Sequence, residues 1–428
     1  MKKNICMFVW NHFTNDARVM RECTALSEAG YNVDLICIHD HNDKTMPFEE
    51  KMNEGFTVTR VRRYPVTVLF MQKLLNLVKR NKVVAVLLFL CWLVSLYVFP
   101  IMTAILSFLL FALLKSKLKK LFINACIIVR MIMKGRQKHY DIYHANDLNT
   151  LPQGYVCAKL RFKRKKLIYD SHEVQTSRTG YGSIHGLMEK YFIRKIDAMI
   201  VENHTRAKYN EELYGFYPNV IHNYPFLTTV QPENKIDLHR MLQLPKDEKI
   251  LLYQGGIQTG RGLDKLIEAV PHIKEGTVVL IGDGKIKPML IQKVKEMKLE
   301  DRVKFLPKVP LKDLPSYTVN AYLGFQILNN VCFNHYSAAS NKLFEYMMAG
   351  VPVVACSFPE IQRVVEGENV GICVDSHNPL EIARAVNELT QNQEKRDFYS
   401  VNTVHARQKY NWDLEKKNLL NIYIEAQY

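Results

Sequence analysis

Ser340-Asn-Lys-Leu-Phe-Glu-Tyr-Met-Met-Ala-Gly-Val-Pro-Val-Val354 is a short helix running into a buried strand. Ser340 suits the N-cap, Gly350 the C′ position, and the apolar run after it a strand. Asn341 and Glu345 share one helical face, while Leu343, Phe344 and Met347 supply apolar packing. The first N–H groups of such a helix lack intrahelical partners and carry the positive end of its dipole, so they suit a diphosphate. Lys342 adds a full charge there, and Glu345, just over one turn on, offers acceptors for both hydroxyls of a ribose. The same residues also describe an ordinary amphipathic helix with a surface Lys and Glu, so the segment needs support from elsewhere in the chain.

The loop Gln254-Gly-Gly-Ile-Gln-Thr-Gly-Arg-Gly-Leu-Asp264 gives that support. It leaves a strand and enters a helix; Gly255 and Gly256 permit close backbone approach, and Arg261 can grip phosphate in two places. Gly282, in Ile281-Gly-Asp-Gly-Lys285, occupies a similar turn. A departing diphosphate gathers negative charge that a metal or fixed cations must balance. The chain has no Asp-x-Asp, so fixed cations are expected, with no metal and no cofactor.

Together these segments resemble the donor-site motifs of GT-B glycosyltransferases, in particular family 4 of the bacterial capsule and exopolysaccharide type. The family pattern is Glu-x7-Glu running into Glu-x-Met-Ala-x-Gly-x-Pro-Val-Val. Glu345 matches the second Glu, which the resemblance assigns to the ribose, while Ser337 stands where the first, sugar-holding Glu would fall. Arg261-Gly262 matches the family's Lys-Gly, and Gly256 replaces its Arg, a loss that Lys342 would offset. The resemblance spans 1–65 and 138–425. It implies a UDP- or GDP-sugar donor bound by Gly255, Gly256, Arg261, Gly282, Asn341, Lys342 and Glu345.

Three loops of the N-terminal half complete the expected site. Asn15, Asp16 and Arg18 resemble the family's Asn-Asp-x-Arg opening. His144-Ala-Asn-Asp147 resembles its His-x-His-Asp segment, with Asn146 in place of the second His. His172 and Glu173 follow the strand that ends in Tyr169-Asp-Ser. An inverting enzyme needs a base for the acceptor hydroxyl, and Asp16, Asp147 and Glu173 are the carboxylates available, with His172 beside them. A retaining enzyme needs none. Asn15, Arg18, His144 and Asn146 are assigned to the acceptor or sugar side. His39-Asp-His-Asn-Asp43 has metal-like composition but reads as a solvated loop.

Strands expected at Ile5–Val9, Val33–Ile38, Val58–Val61, Ile142–His144, Lys166–Asp170, Ala198–Val201 and Val220–Ile221 alternate with helices. A second set lies at Ile250–Gln254, Thr277–Ile281, Val303–Phe305, Tyr322–Phe325, Val353–Ala355 and Ile372–Val374. The expected fold is therefore α/β, GT-B: two doubly wound Rossmann-like domains facing a cleft. The first spans 1–228 on the acceptor side, the second 229–405 on the nucleotide-sugar side, and a helix at 406–428 crosses back.

An insert at 68–136 does not belong to that fold. Val83 to Leu114 holds no charged residue across 32 positions. One helix of that length would measure roughly 48 Å, against a hydrocarbon core of about 30 Å. Domain sequence lies on both sides of the insert, so both ends return to one compartment, which favours a hairpin broken near Pro100, re-entrant or shallow, over a single crossing. An amphipathic helix is expected near Lys119–Lys134. A buried soluble helix pair is the alternative.

The net charge of +16 calls for an acidic partner. Basic clusters at Lys79–Lys82, Lys115–Lys120, Arg130–Lys138 and Lys159–Lys166 surround the apolar insert, and no nucleic-acid module is evident, which points to an anionic membrane surface. Lys/Arg at both ends of the insert place it at the cytoplasmic face. Nine scattered Cys residues form no metal or disulfide pattern. The expected reaction moves a sugar to a lipid-linked acceptor, a polyprenyl-diphosphate glycan of a surface polysaccharide. The rivals are a divergent sugar-nucleotide epimerase and a non-catalytic scaffold.

Overall fold

A computed structural model describes residues 3–14, 16–114, 116–178, 181–228 and 235–426, with the backbone alone at 109, 112–114 and 116. The chain forms two compact units, Met1–Asp170 with Met188–Met199, and Ser171–Leu187 with Ile200–Ala426.

The first sheet contains β1 (Asn4–Phe8), β2 (Asn32–Ile38), β3 (Glu49–Asn53), β4 (Phe56–Val61), β5 (Ile142–Asn146), β6 (Lys166–Ser171), β7 (Ala198–Val201) and β8 (Asn219–Val220), in the order β3-β4-β2-β1-β5-β6-β7-β8. β1 lies between β2 and β5 and is parallel to both, with Ile5 opposite Val33 and Ile142. The inner strands are apolar on both faces, as a sheet covered by helices on two sides requires. β3 is the exception: Glu-Glu-Lys-Met-Asn pairs antiparallel to β4 at the edge. No apolar alternation announces it, because a solvated edge strand is protected by charge rather than burial.

The helices of this half are α1 (Ala17–Glu28), α2 (Val66–Arg80), α3 (Lys82–Val98), α4 (Pro100–Leu114), α5 (Ser116–Gly135), α6 (Leu151–Lys159), α7 (Ser183–Ile193) and α8 (His204–Tyr214). The chain breaks between α3 and α4 at Phe99–Pro100, where proline removes a helical N–H. The hydroxyls of this pair close on each other. Trp92 Nε1 donates to Ser107 Oγ at 2.9 Å, Ser95 and Thr103 hydroxyls meet at 2.7 Å, and Ser107 Oγ donates to the Thr103 carbonyl at 2.7 Å. Large apolar residues such as Val86, Phe89, Val94 and Ile105 face outward instead, and Tyr97 near the tip is 90% exposed. No single helix among the described residues is long and apolar enough to cross a membrane; α2 and α3 together have the length and composition but are bent by 118°.

α5 carries the chain from the hairpin to β5. Ile123, Ile127 and Met131, four residues apart, are buried, and Gly135 lies so close to the Phe8 ring that a Cβ there would sit 2.7 Å from Cζ. The amphipathic helix expected as part of the insert is thus a covering helix of the sheet, and that part of 68–136 belongs to the fold.

The second sheet is wholly parallel: β9 (Ile250–Gln254), β10 (Thr277–Ile281), β11 (Val303–Leu306), β12 (Leu323–Gln326), β13 (Val353–Cys356) and β14 (Gly371–Val374), in the order β11-β10-β9-β12-β13-β14. Strand alternation divides its residues between two cores. Leu251, Tyr253, Val278 and Leu280 pack on one face with helices Leu263–Ala269 and Pro379–Gln391. Ile250, Leu252, Val279 and Ile281 pack on the other, with helices Asn341–Met348 and Pro359–Gly367. The strand order reverses at β9, so the loops after β9 and β12 flank the topological switch point where such sheets bind ligands.

Candidate functional site

The β9 loop is built by close backbone contact. Gly255 N donates to the Ile281 carbonyl at 2.9 Å and Ile257 N to the Asp283 carbonyl at 3.0 Å, so β9 and β10 remain joined beyond their ends. Gly282 has φ +151°, and a Cβ there would lie 1.9 Å from the Gly255 carbonyl oxygen. Only glycine fits. Gly282→Ala is expected to destabilise the protein by about 1–3 kcal/mol through backbone strain, measurable as a lower midpoint of thermal unfolding.

Helix Asn341–Met348 starts at Ser340, which is extended and makes no side-chain cap, so that hydroxyl leaves the first N–H groups unclaimed. Asn341 is exposed, whereas Lys342 is only 9% exposed. Lys342 lies along Gly255: a Cβ on that glycine would meet its Cδ at 3.5 Å and Nζ at 3.6 Å. Its Nζ sits 5.3 Å from the centre of the Tyr253 ring. Burial, and then the nearby Arg261 guanidinium, hold the Lys342 ammonium down to about 8 against the upward pull of Glu345 and Cys356. Arg261 also lowers the neighbouring His335, where burial is the larger cause. Arg261 and Lys342 thus form a pair of mutually unfavourable positive charges, the arrangement an incoming anion relieves, and His335 stays neutral beside Arg261.

Glu345 is oriented from the sheet. Gln254 Nε2 donates to Glu345 Oε2 at 2.7 Å, and Thr318 Oγ1 donates to Gln254 Oε1 at 2.7 Å. An ionised carboxylate only accepts, which fixes the direction of the Gln254 amide. Tyr346 locks the helix down, its hydroxyl donating to the Leu252 carbonyl at 2.9 Å and accepting from Gln254 N at 3.2 Å. The structure therefore brings Gly255, Arg261, Gly282, Lys342 and Glu345 into one neighbourhood.

Sequence reasoning passed over four residues here. Gln254 and Tyr253 were visible only as the end of an apolar run, although a polar residue closing a buried strand is a usable signal. His335 comes from a one-turn helix, Phe333–Tyr336, that carries no motif. Gln326, at the end of β12, is fully buried, and neither atom of its carboxamide has a hydrogen-bond partner.

Ser337, at the position of the missing Glu, is buried. Its hydroxyl accepts from Arg206 Nε at 3.2 Å and its carbonyl from Asn203 Nδ2 at 2.7 Å. His172 and Glu173 belong to the same unit and are half-buried. The His172 carbonyl accepts from Arg206, and Glu173 pairs with Arg178 at 3.0 Å.

The other expected residues lie in the first unit. Asp16 caps α1, accepting from Val19 N at 3.2 Å and from Asn11 Nδ2 at 2.7 Å. Asn15 lies outside the described residues. Arg18 is buried and pairs with Glu22 Oε1 at 2.9 Å and with both oxygens of Asp170 at 2.9 Å. His144 Nε2 is 3.8 Å from Asp170 Oδ2, with both side chains fully buried. Asn146 Nδ2 donates to the Phe8 carbonyl at 3.0 Å, tying β5 to β1. Asp147 follows with φ +63°. Glu22, His144 and Asp170 bring ligand-type atoms within 4.8 Å of one another, but the Arg18 guanidinium already takes the place a metal ion would fill.

Residues 234–403 match the family described as glycosyl transferases group 1. Among curated relatives, D-inositol 3-phosphate glycosyltransferase of Thermomonospora curvata is 26% identical over 318 residues, covering 67% of this chain and 72% of that one. Among solved structures, sucrose-phosphate synthase from Thermosynechococcus elongatus superposes with a TM-score of 0.73 at 17% identity, over 99% of each chain. HepE of Anabaena, solved in complex with UDP-glucose, gives a TM-score of 0.69 at 15% identity over 99% of each chain. At such identities the structures carry the fold alone, and the sequence matches are a likeness to glycosyltransferases. Residues 234–403 are therefore similar to glycosyl transferases of group 1, and the chain shares the two-domain GT-B fold of these solved structures.

Proposed function

We propose that the protein transfers a sugar from a UDP- or GDP-sugar to a lipid-linked glycan at the cytoplasmic face of a membrane, in surface polysaccharide synthesis. The observation that carries the donor half is the buried Lys342 ammonium beside Arg261 at the start of helix Asn341–Met348. The diphosphate would lie against these two charges and the helix N–H groups, and Glu345, aimed by Gln254, would take the ribose hydroxyls. As the sugar–phosphate bond breaks, charge grows on the leaving diphosphate where the cations are already fixed, which assists departure without a metal.

The acceptor half is supported by the hairpin. Its outward side chains are largely apolar, its Ser95, Thr103 and Ser107 hydroxyls are satisfied internally, and it is bracketed by β4 and β5 of one sheet, so both ends return to the same side. Lys and Arg at both ends favour the cytoplasmic side. A re-entrant hairpin would hold the enzyme where a polyprenyl-diphosphate glycan resides. The relative that acts on D-inositol 3-phosphate favours a second reading, a soluble phosphorylated acceptor.

Calorimetry with UDP and GDP, followed by nucleotide release from a panel of nucleotide sugars, tests both halves. We expect one nucleotide to bind, and its release to rise with a bacterial lipid extract but not with inositol phosphate. Stimulation by inositol phosphate alone would overturn the lipid acceptor. Failure of both nucleotides to bind would overturn the donor site.

A further inference from the structure

We infer that α2 and α5 lie flat on an anionic bilayer on either side of the hairpin, with their outer faces sunk among the lipid headgroups. This rests on the membrane reading of α3–α4 and adds the two helices that leave and rejoin the sheet.

α5 is apolar on two opposite faces. Ile123, Ile127 and Met131 face the sheet, while Leu118, Leu121, Phe122, Val129 and Met133 are exposed. At 100° per residue the two sets are centred about half a turn apart. A helix covering a sheet in water turns a polar face outward, which α5 does not. α2 repeats the pattern: Val68 is buried, and Val66, Phe70 and Leu77 form an exposed stripe on the opposite side. The 118° turn between α2 and α3 is near enough to a right angle for α2 to stay in the membrane plane while α3 points into it.

Charge selects the occupant. Between Glu54 and Asp141 the chain contains fifteen Lys and Arg residues and no Asp or Glu. Lys73, Lys117 and Lys134 belong to α2 and α5 themselves, and Lys79, Arg80, Lys119 and Lys120 lie near the hairpin ends. A second copy of this surface would be repelled, whereas anionic headgroups are attracted to just such an array and acyl chains accept the stripes.

Flotation with phosphatidylglycerol–phosphatidylcholine vesicles tests the inference. Val129→Glu with Met133→Glu on α5, and Phe70→Glu on α2, should each lower the vesicle partition coefficient by roughly tenfold or more. These residues are exposed, so helix content and unfolding midpoint should hold. As a second measurement on an otherwise intact chain, Val129→Trp should add emission that lipids brominated near the headgroup quench more strongly than lipids brominated mid-chain. If wild type floats but the Glu variants float equally well, or the added Trp is not quenched, the flat-lying helices are wrong and the hairpin anchor stands. If wild type does not float at all, the anchor fails and this inference with it.

Discussion

Lys342→Met is expected to raise the dissociation constant for the bound nucleoside diphosphate by about 10- to 100-fold, the worth of one charge-assisted contact to phosphate in a site sheltered from water. The change keeps the length and apolar stem of the side chain, so the packing along Gly255 and Tyr253 should survive. Arg261→Ala and Glu345→Ala should weaken binding in the same assay, whereas His39→Ala should not. Lys342 also predicts a pH dependence. Its folded value, about 8, lies below the ordinary lysine value of 10.5 because of burial and Arg261. The empty site therefore loses this proton as pH rises through about 8, and donor affinity should fall there, by up to about tenfold per pH unit. The stability effect has the opposite sign: from about pH 8 to 10.5 the unfolded chain holds the proton that the folded chain has released, so this group makes the protein more stable as pH rises. Nucleotide titrations at pH 7 and pH 9 in wild type and Lys342→Met would show the affinity effects, and unfolding midpoints at the same two pH values the stability effect. Equal affinities at the two pH values in wild type would remove Lys342 from the phosphate site.

Asp170→Ala is expected to cost about 3–5 kcal/mol of stability, the usual penalty for leaving a buried charge without its partner. Asp170 holds the Arg18 guanidinium with both oxygens, Glu22 holds it from the other side, and all three side chains are shielded from solvent. Removing Asp170 leaves the Nη2 group of the buried guanidinium without the carboxylate that accepts from it, where water does not reach to replace it. The effect should appear as a fall of roughly 10 °C in the unfolding midpoint. Replacing the whole cluster, Arg18→Met with Asp170→Leu and Glu22→Leu, should recover much of the loss, because no buried charge is then left without a partner. A single variant that melts within a degree or two of wild type would show that water reaches the cluster and screens it.

The parallel strands and the two-sheet plan were legible because buried parallel strands are continuous apolar runs of five or six residues, and nearly all of those expected lie within a residue or two of the observed bounds. β3 was not, because its stability comes from pairing to β4 and not from its own composition. In the site, motifs name Gly255, Arg261, Lys342 and Glu345, which the fold brings close together, but they do not name the residues that orient them. Gln254 becomes informative only when Glu345 is seen 2.7 Å away. Arg18 is expected on the acceptor or sugar side from its resemblance to the Asn-Asp-x-Arg opening, and the structure gives it buried carboxylate partners. Its partner Asp170 is 152 residues distant in sequence, a pairing no local pattern reveals.

The position of the insert constrains how the protein is made. β1 pairs on one side with β2, which follows it closely, and on the other with β5, which begins only at Ile142. A nascent chain emerging from the ribosome can assemble β1, β2 and β4 early, but one edge of β1 stays open until the entire hairpin has been synthesised. An open edge of an apolar parallel strand is prone to mispairing. The hairpin must therefore settle before the sheet can close, and under the membrane reading proposed above its early capture by the bilayer is a checkpoint in biogenesis.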